Sequence, residues 1–428
     1  MQRKLTTGAL AAAMFTPILA SGQATSELDA MKAELAAMRA ELAQVKGGST
    51  PQATADLQAA TNAALEDARS RINYQTEELS AGHDGKFFLA SPDGAFRLNF
   101  GFQSQVRYIA NFRDEETAGE DDTLTGFQLR RTKFKFSGNI GDPKISYGVT
   151  ISGNRNSNNA VFEAIKLGYK FDNGIKIEGG RFKAPFSFDE LTSSSRQQTV
   201  ERSFVNEQFT VGFTEGVMAT FNPVDEAKVR VMINDGQGAG EGGNGDFNET
   251  PVDFGITARV DYVIGEDTKG GFAKDYTSWS GDDRNINIGG AFHYQADDDA
   301  EGTFTDDLTQ FTADVLYNEA GISAFGAVYF ADTGDDDLFG LQLQGGYTID
   351  DKIEPFVRYE YVDFDDTENS LLTVGVNYFF KKHKAKFTVD GIFSFDELTS
   401  VSDGFGLEEN AAGDDEQFAL RAQFQLLF

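Results

Sequence analysis

Three basic residues at a spacing of two, Arg131, Lys133 and Lys135, are the strongest candidates for chemistry in this chain of 428 residues. They belong to the segment GFQLRRTKFKFSG, in which they alternate with Phe134 and Phe136. In an extended strand this spacing places the three cations on one face and the two rings on the other. Fixed cations in a row could replace part of the water that an anion loses in a narrow passage.

Other reactive chemistry is poorly represented in the chain. There is no cysteine, which excludes disulfides, cysteine-ligated metals and thiol nucleophiles. The three histidines, His83, His293 and His383, are far apart, and none has a serine or aspartate at a spacing that indicates a catalytic group. The formal charge of −31 is opposite in sign to the basic surface of a nucleic-acid binder. We therefore expect no enzyme, no cofactor, no metal and no nucleic-acid partner.

The elements that carry the basic residues are predicted to be strands, because apolar and polar residues alternate from Phe96 to the last residue, Phe428. We count sixteen strands, which start near residues 96, 125, 144, 161, 175, 210, 227, 254, 286, 311, 322, 338, 353, 371, 384 and 417. Short turns alternate with long, acidic, glycine-rich loops, as in outer-membrane barrels. The predicted fold class is all-β: a transmembrane antiparallel β-barrel of about 16 strands over residues 85–428, preferred over a soluble β-sandwich.

The N-terminal region is predicted to direct export and to add a short helix. Arg3 and Lys4 precede a short apolar stretch that ends in small residues, which predicts a signal peptide over residues 1–24. Residues 27–46 carry apolar side chains at alternating spacings of three and four, the pattern of a coiled coil. We assign residues 25–80 to a periplasmic coiled-coil helix and linker that precedes the barrel. An amphipathic helix packed on its own chain is the alternative.

The polar face of each strand is expected to line an aqueous channel, since sixteen strands enclose more space than their side chains can fill. Phe127 and Leu129 have the opposite parity to Phe134, which predicts a β-bulge or the end of the lipid-facing belt near Arg130. Strand parity assigns six acidic residues to the channel face: Glu178, Asp261, Asp314, Glu354, Glu360 and Asp390. It assigns fifteen basic residues to that face: Arg97, Arg107, Arg131, Lys133, Lys135, Lys144, Lys166, Lys170, Lys176, Lys228, Arg230, Arg259, Arg358, Lys386 and Arg421.

Residues 179–203, GGRFKAPFSFDELTSSSRQQTVERS, interrupt the strand pattern. Pro185 ends the pairing of a strand, and the apolar Phe186 is followed by polar residues. This composition fits a loop that folds back into the barrel and narrows it, and an exterior loop without such a role fits the spacing equally well. The candidate constriction residues are Pro185, Phe186, Asp189, Glu190, Ser193, Glu201 and Arg202.

Two of these segments resemble a known family. GRFKAPFSFDELTSSS followed by VERSFVNE, together with the strand GFQLRRTKFKFSG, is similar to the phosphate-selective porin O/P family. The resemblance implies a homotrimer of sixteen-stranded barrels with inward loops, through which phosphate or polyphosphate passes. It implies that Arg130, Arg131, Lys133 and Lys135 belong to the channel wall and that Arg181 and Lys183 flank the inserted loop. The loops of this chain are more acidic than a phosphate-collecting funnel should be.

The expected function is that of a porin in the outer membrane of a Gram-negative-type bacterium, with lipid and small anionic or hydrophilic solutes as partners. A basic channel wall favours anions, but a general or cation-passing porin remains open, since every aqueous barrel carries charges of both signs. A structural protein that ties the outer membrane to the envelope is a further alternative. The acidic loops could also bind divalent cations.

Overall fold

The computed structural model describes residues 79–113, 123–154, 159–237, 252, 254–265, 272, 275–296, 307–334, 336–365, 367–398, 401, 404–408 and 416–428. The predicted signal peptide, coiled-coil helix and linker lie outside these residues, except for the last two positions of the linker. The acidic stretches 114–122 and 297–306 also lie outside them.

The described residues are almost entirely β-structure, in eighteen strands and two short helices. The helices are α1 (Phe188–Leu191) and α2 (Phe204–Phe209). The strands are β1 (Ser80–His83), β2 (Phe87–Ala90), β3 (Arg97–Arg113), β4 (Thr123–Ile140), β5 (Asp142–Asn154), β6 (Asn159–Lys170), β7 (Lys176–Lys183), β8 (Phe213–Val224), β9 (Ala227–Asn234), β10 (Phe254–Gly265), β11 (Asn285–Ala296), β12 (Leu308–Glu319), β13 (Ile322–Asp332), β14 (Asp337–Tyr347), β15 (Ile353–Asp363), β16 (Glu368–Lys381), β17 (Ala385–Ser394) and β18 (Gln417–Leu427).

Strands β3 to β18 form the closed barrel of sixteen antiparallel strands that the alternating pattern predicts. Each strand pairs with the next along the chain, and β18 pairs with β3 from Gln417–Arg113 to Leu427–Gln103. Closure leaves no unpaired edge, which is the condition for a sheet inside lipid. The predicted starts agree with the observed ones to within three residues.

Strands β1 and β2 are an addition that the alternating pattern did not predict. They form a hairpin, and β2 pairs with the first residues of β3, at the point along β3 where the pairing with β18 has ended. The ring of Phe87 in β2 lies 5.5 Å from the ring of Phe428. The hairpin therefore extends the sheet beyond the C-terminal strand at one end of the barrel.

The two faces of the sheet follow the predicted parity. In β3, Val106 and Tyr108 are exposed on the outer face, whereas Arg107 between them is buried on the inner face. The bulge predicted near Arg130 is confirmed: Gln105 lies opposite Arg131 and Val106 lies opposite Leu129, so Arg130 is the extra residue. Apolar outer rows of this kind are the surface that a barrel presents to lipid.

The connections at the two ends of the barrel differ in length, with one exception. The turns after β4, β6, β8, β12, β14 and β16 are short, and the connections at the opposite end include all of the acidic stretches. The connection between β10 and β11 is also long, although it lies at the short-turn end. Its described residues 275–280 enter the barrel, where Tyr276 is almost fully buried.

An apolar core occupies part of the barrel interior, which corrects the expectation of a uniformly polar inner face. On β13 the inner residues Phe325 and Tyr329 are buried, while Phe330 is exposed on the outer face. The inner residues pack against the connection between β7 and β8, residues 184–212, which contributes Phe204 and Phe209. Among the described residues, no helix is both long enough and apolar enough to cross a membrane.

Candidate functional site

Residues 184–212, here called the inner segment, fold into two short helices with matching caps. The Ser187 hydroxyl accepts a hydrogen bond from the Glu190 amide (3.1 Å) at the start of α1. The Ser203 hydroxyl accepts one from the Asn206 amide (2.9 Å) at the start of α2. Serine at these positions satisfies amide groups that a short helix leaves without partners. The sequence of the segment therefore favours compact structure over a loose exterior loop.

The inner segment lies inside the barrel, because its hydrogen bonds reach strands on several sides. The Gln105 amide of β3 donates to Ser194 O (3.0 Å), and the Asp390 carboxylate of β17 accepts from the Val200 amide (2.9 Å). From β10, Arg259 donates to the carbonyl of Phe186 (2.7 Å). Of the predicted constriction residues, Pro185, Phe186, Asp189, Glu190 and Glu201 are buried, whereas Ser193 and Arg202 are partly exposed.

Glu201 is the centre of a buried charge cluster of four residues. Its carboxylate pairs with Arg107 (3.0 Å), Arg130 (2.8 Å) and Arg131 (2.5 Å), which come from β3 and β4. Burial by itself would raise the pKa of Glu201, but the three guanidinium groups outweigh it and hold that pKa well below its usual range. The bulge at Arg130 allows two successive arginines of β4 to reach the same carboxylate.

Glu190 forms a second buried charge cluster, at the end of α1. Its carboxylate lies 2.9 Å from Lys183 Nζ and 3.2 Å from Arg202 Nε. Burial opposes ionisation, but Arg202 and then Lys183 outweigh it and lower the pKa of Glu190 to about 2. Lys183, the last residue of β7, and Arg202, just before α2, are thereby both joined to α1.

Four arginines of the predicted wall face inward but are almost completely buried: Arg107, Arg259, Arg358 and Arg421. Arg358 donates from Nη1 to Thr199 Oγ1 (2.8 Å) and to Glu201 O (3.1 Å). Its Nε donates to Glu360 Oε2 (2.7 Å) on its own strand. These bonds fix the middle of the inner segment to β15.

Arg259 and Arg421 are bound in the same way. Arg259 pairs with the Asp314 carboxylate through Nη1 (2.8 Å) and Nη2 (2.9 Å). Arg421 pairs with Asp390 through Nε (2.7 Å) and Nη2 (2.9 Å) and donates from Nη1 to Phe405 O (3.0 Å). Bidentate pairs of this kind use most of the donors that a guanidinium has. These arginines hold inner elements in place and offer few donors to a passing solute.

Among the remaining residues of the predicted wall, Lys386 is also buried and donates to the carbonyl of Gln197, and others are more exposed or pair with other acids. Lys133 pairs with Glu163, Arg181 with Glu215 (2.9 Å) and Arg230 with Asp261 (2.5 Å). Arg97 pairs with Asp84 (2.5 Å), and Lys166 with Glu178 (3.1 Å). Lys135 donates to Gln103 Oε1 (2.8 Å) and is partly exposed, and Lys170 is exposed.

Glu163 is an inner acid that strand parity missed, whereas the pair of Arg181 and Glu215 lies on the outer face, which corrects the assignment of Arg181 to the channel wall: Arg181 lies opposite the outward Ile165, and Glu215 is two residues from the exposed Val217. Glu163 is the extra residue of a second bulge, since Thr150 lies opposite Ala164 and Ile151 lies opposite Phe162. The bulge could have been found in the sequence, because the exposed Phe162 and Ile165 are three residues apart where strict alternation requires two or four. The interior is therefore less basic than the fifteen-to-six ratio predicts.

A cavity of about 990 Å³ opens at the short-turn end of the barrel, here called the turn-end cavity. Its lining includes four acidic side chains: Asp84, Asp261, Asp275 and Asp314. It also includes eight basic side chains: Lys86, Arg97, Lys135, Arg196, Lys228, Arg230, Lys382 and Lys384. The basic side chains outnumber the acidic ones by four, so the lining carries a net positive charge.

The β10–β11 connection forms one wall of this cavity, which the sequence did not indicate. Asp275 lies 3.4 Å from Arg196 of the inner segment, and the ring of Tyr276 lies 5.3 Å from that of Phe188. Trp279 packs edge-on against Phe379. Two chain segments that enter from opposite ends of the barrel therefore meet inside it.

Comparisons with known proteins agree with this architecture. Residues 96–258 match the family model described as phosphate-selective porin O and P, which confirms the resemblance of the two motifs. The structure is similar to the anion-selective porin from Comamonas acidovorans, at 13% identity and a TM-score of 0.54, over 77% of this chain and 99% of that one. It is also similar to OprB of Pseudomonas putida, at 11% identity and a TM-score of 0.52, over 77% of this chain and 94% of that one. No curated protein sequence matches the chain.

Proposed function

We propose that this chain, which carries the pattern of the phosphate-selective porin O and P family in residues 96–258 and folds as an outer-membrane porin, lets small hydrophilic anions diffuse across the outer membrane. Phosphate or a similar anion is the proposed solute. The short-turn end would face the periplasm, as in other barrels with short turns on that side.

The observation that carries the anion preference is the charge of the turn-end cavity. Its lining has eight basic side chains against four acidic ones, and all four acids, Asp84, Asp261, Asp275 and Asp314, already pair with arginines. The lysines Lys86, Lys382 and Lys384 add positive charge near the rim. Selectivity in a wide pore follows from such fixed charges near its narrow part.

The position of the inner segment also supports the proposal, because this segment lies inside the barrel and narrows the bore. Phe186 and Glu201 lie within the barrel, and the segment is held by the charge clusters of Glu190 and Glu201. We propose that its partly exposed turn, Ser193 to Arg196, borders the constriction. The buried arginines of the predicted wall would then act on the solute only through the position of this segment.

The family also implies that three barrels assemble into one unit, and we propose a homotrimer in the outer membrane. Outer apolar residues such as Val106 and Leu167 would face either lipid or a second barrel. Light scattering of the detergent-solubilised protein, with the detergent mass subtracted, would give the mass of three chains. A monomeric mass would contradict the trimer and leave the channel proposal standing.

Planar-bilayer recording tests the function directly. Under a KCl gradient, the reversal potential should have the sign that chloride permeation produces, and added phosphate should reduce the chloride current by competition. A reversal potential of the opposite sign would overturn the anion preference and favour a cation-passing porin. Absence of any conductance from correctly folded protein would overturn the channel itself.

A further inference from the structure

The inner segment is held by strands around most of the barrel. Its main-chain carbonyls accept hydrogen bonds from Gln425 of β18 (2.9 Å, to Ser195) and Asn377 of β16 (2.7 Å, to Gln198). Further hydrogen bonds and ion pairs join it to β3, β4, β7, β10, β13, β14, β15 and β17. Within the described residues, none of its hydrogen bonds reaches β5 or β6. The contacts of the inner segment therefore leave the most room beside β5 and β6.

The inner face of β5 leaves that room, because its side chains are short. In sequence order, the inward residues of β5 are Ser146, Gly148, Thr150 and Ser152. They alternate with the outward Tyr147, Val149 and Ile151. The side chain of Lys166 from β6 lies across Gly148: a Cβ added there would stand 3.3 Å from the Lys166 chain. A longer residue at position 148 would therefore displace this lysine.

Two lysines of β6 and β7 are exposed to water. The side chains of Lys166 and Lys176 are 44% and 33% exposed, whereas the side chains of Arg358 on β15 and Arg421 on β18 are 0% exposed. Lys166 and Lys176 share one carboxylate, Glu178, so the group keeps a net positive charge. An exposed ammonium can exchange water for a passing anion at low cost, while a buried guanidinium would first have to give up a carboxylate.

We infer that the solute path runs beside β5 and β6 and that Lys135 and Lys166 determine ion selectivity there, while the buried arginines do not touch the solute. Lys135 lies at the edge of the turn-end cavity, and its hydrogen-bond partner is the neutral Gln103 and not a carboxylate. Gln103 also donates to Ser194 of the inner segment (3.0 Å), which places Lys135 beside the constriction. This inference rests on the proposed porin function.

The position of the path can be tested without knowing the solute, because the chain has no cysteine of its own. Thr150→Cys places a thiol on the inner face of β5, and Thr373→Cys places one on the inner face of β16, where the native side chain is fully buried. A negatively charged methanethiosulfonate reagent, added during bilayer recording, should reduce the current of Thr150→Cys and leave that of Thr373→Cys unchanged. Modification of Thr373→Cys but not of Thr150→Cys would overturn the inference.

Selectivity gives the second test. Lys135→Gln and Lys166→Gln should each move the reversal potential toward zero, whereas Arg358→Gln should leave it unchanged in the channels that do form. An unchanged reversal potential in both lysine variants would overturn their assigned role. A cation-selective native channel would instead overturn the proposed anion preference, and the cysteine pair would still locate its path. The two failures are therefore distinguishable.

Discussion

Lys133 of β4 forms an ion pair with Glu163 of β6 across the intervening strand β5. The contact is possible because Ser152, the β5 residue opposite Lys133, is short. It also requires the bulge in β6, since Glu163 is the extra residue and turns inward between Phe162 and Ala164. A local irregularity of one strand thus decides which charges meet inside the barrel.

The bulge in β4 makes a prediction about deletions. Without Arg130, the strict alternation of β4 still places Arg131 inward and Leu129 outward, so we expect deletion of Arg130 to leave the barrel folded. Deletion of Thr132 instead turns Arg131 toward lipid, which costs roughly 2–4 kcal/mol near the bilayer centre. For each deletion, heat-dependent gel mobility would show whether the barrel folds, and the urea midpoint of the refolded protein would show its stability. Equal midpoints for the two deletions would contradict the assigned faces.

Removing the charge of Glu201 should loosen the inner segment. Glu201→Gln leaves Arg107, Arg130 and Arg131 close together without a carboxylate, and loss of one partner of a buried pair costs about 3–5 kcal/mol. We expect a lower urea midpoint and larger current fluctuations in single channels. Glu215→Gln, at the more exposed pair with Arg181, is the matched control and should have the smaller effect. Equal effects of the two variants would refute a structural role specific to Glu201.

Acid should remove the contribution of Glu190. Its folded-state pKa of about 2 lies below the ordinary 4.5, so its stabilising effect is complete above about pH 4.5 and is lost as the pH falls through 2. The Tm difference between the native protein and Glu190→Gln should be largest at neutral pH and shrink as the pH approaches 2, since a protonated glutamate resembles glutamine. A Tm difference that stays constant from pH 7 to pH 2 would show that Glu190 is not held ionised.

Trp279 provides an optical test of the turn-end cavity, because it is the single tryptophan of the chain and lies on the cavity wall. Lys382 sits 4.5 Å from the centre of its ring. Iodide should therefore quench its fluorescence more strongly than caesium does, and 1 M salt should reduce the difference because the Debye length falls to about 3 Å. In the double variant Lys382→Gln and Lys384→Gln, the difference between quenching by iodide and quenching by caesium should become smaller. Stronger quenching by caesium would contradict the positive charge of the cavity.

Much of the barrel could be predicted from residue alternation alone. Each strand has one face in lipid, so residues such as Val106 and Tyr108 must be apolar and Arg107 must point inward. The bulge at Arg130 was visible for the same reason, since Leu129 and Phe134 cannot both face lipid in an unbroken strand. The β1–β2 hairpin was missed because its four-residue strands are too short to show alternation.

The partners of the inward charges were less predictable, because parity gives a direction and not a neighbour. Arg358 and Lys166 have the same inward parity, yet the first is fully buried against the inner segment and the second is almost half exposed. The difference depends on which strands the inner segment contacts. That choice depends on contacts such as Val200 to Asp390, which join residues 190 positions apart.

The sequence by itself determined the closed sheet, the two faces of each strand and the basic character of the inner residues, because lipid imposes an apolar residue at every second position. Only the tertiary structure decided which inner cations are neutralised and which remain exposed to water. The reason is that the inner segment and the β10–β11 connection bring carboxylates and carbonyls to some arginines and leave the lysines beside β5 uncovered. Charge counts along the strands could not distinguish these two groups, since burial against a distant segment leaves no periodic pattern in the strand itself.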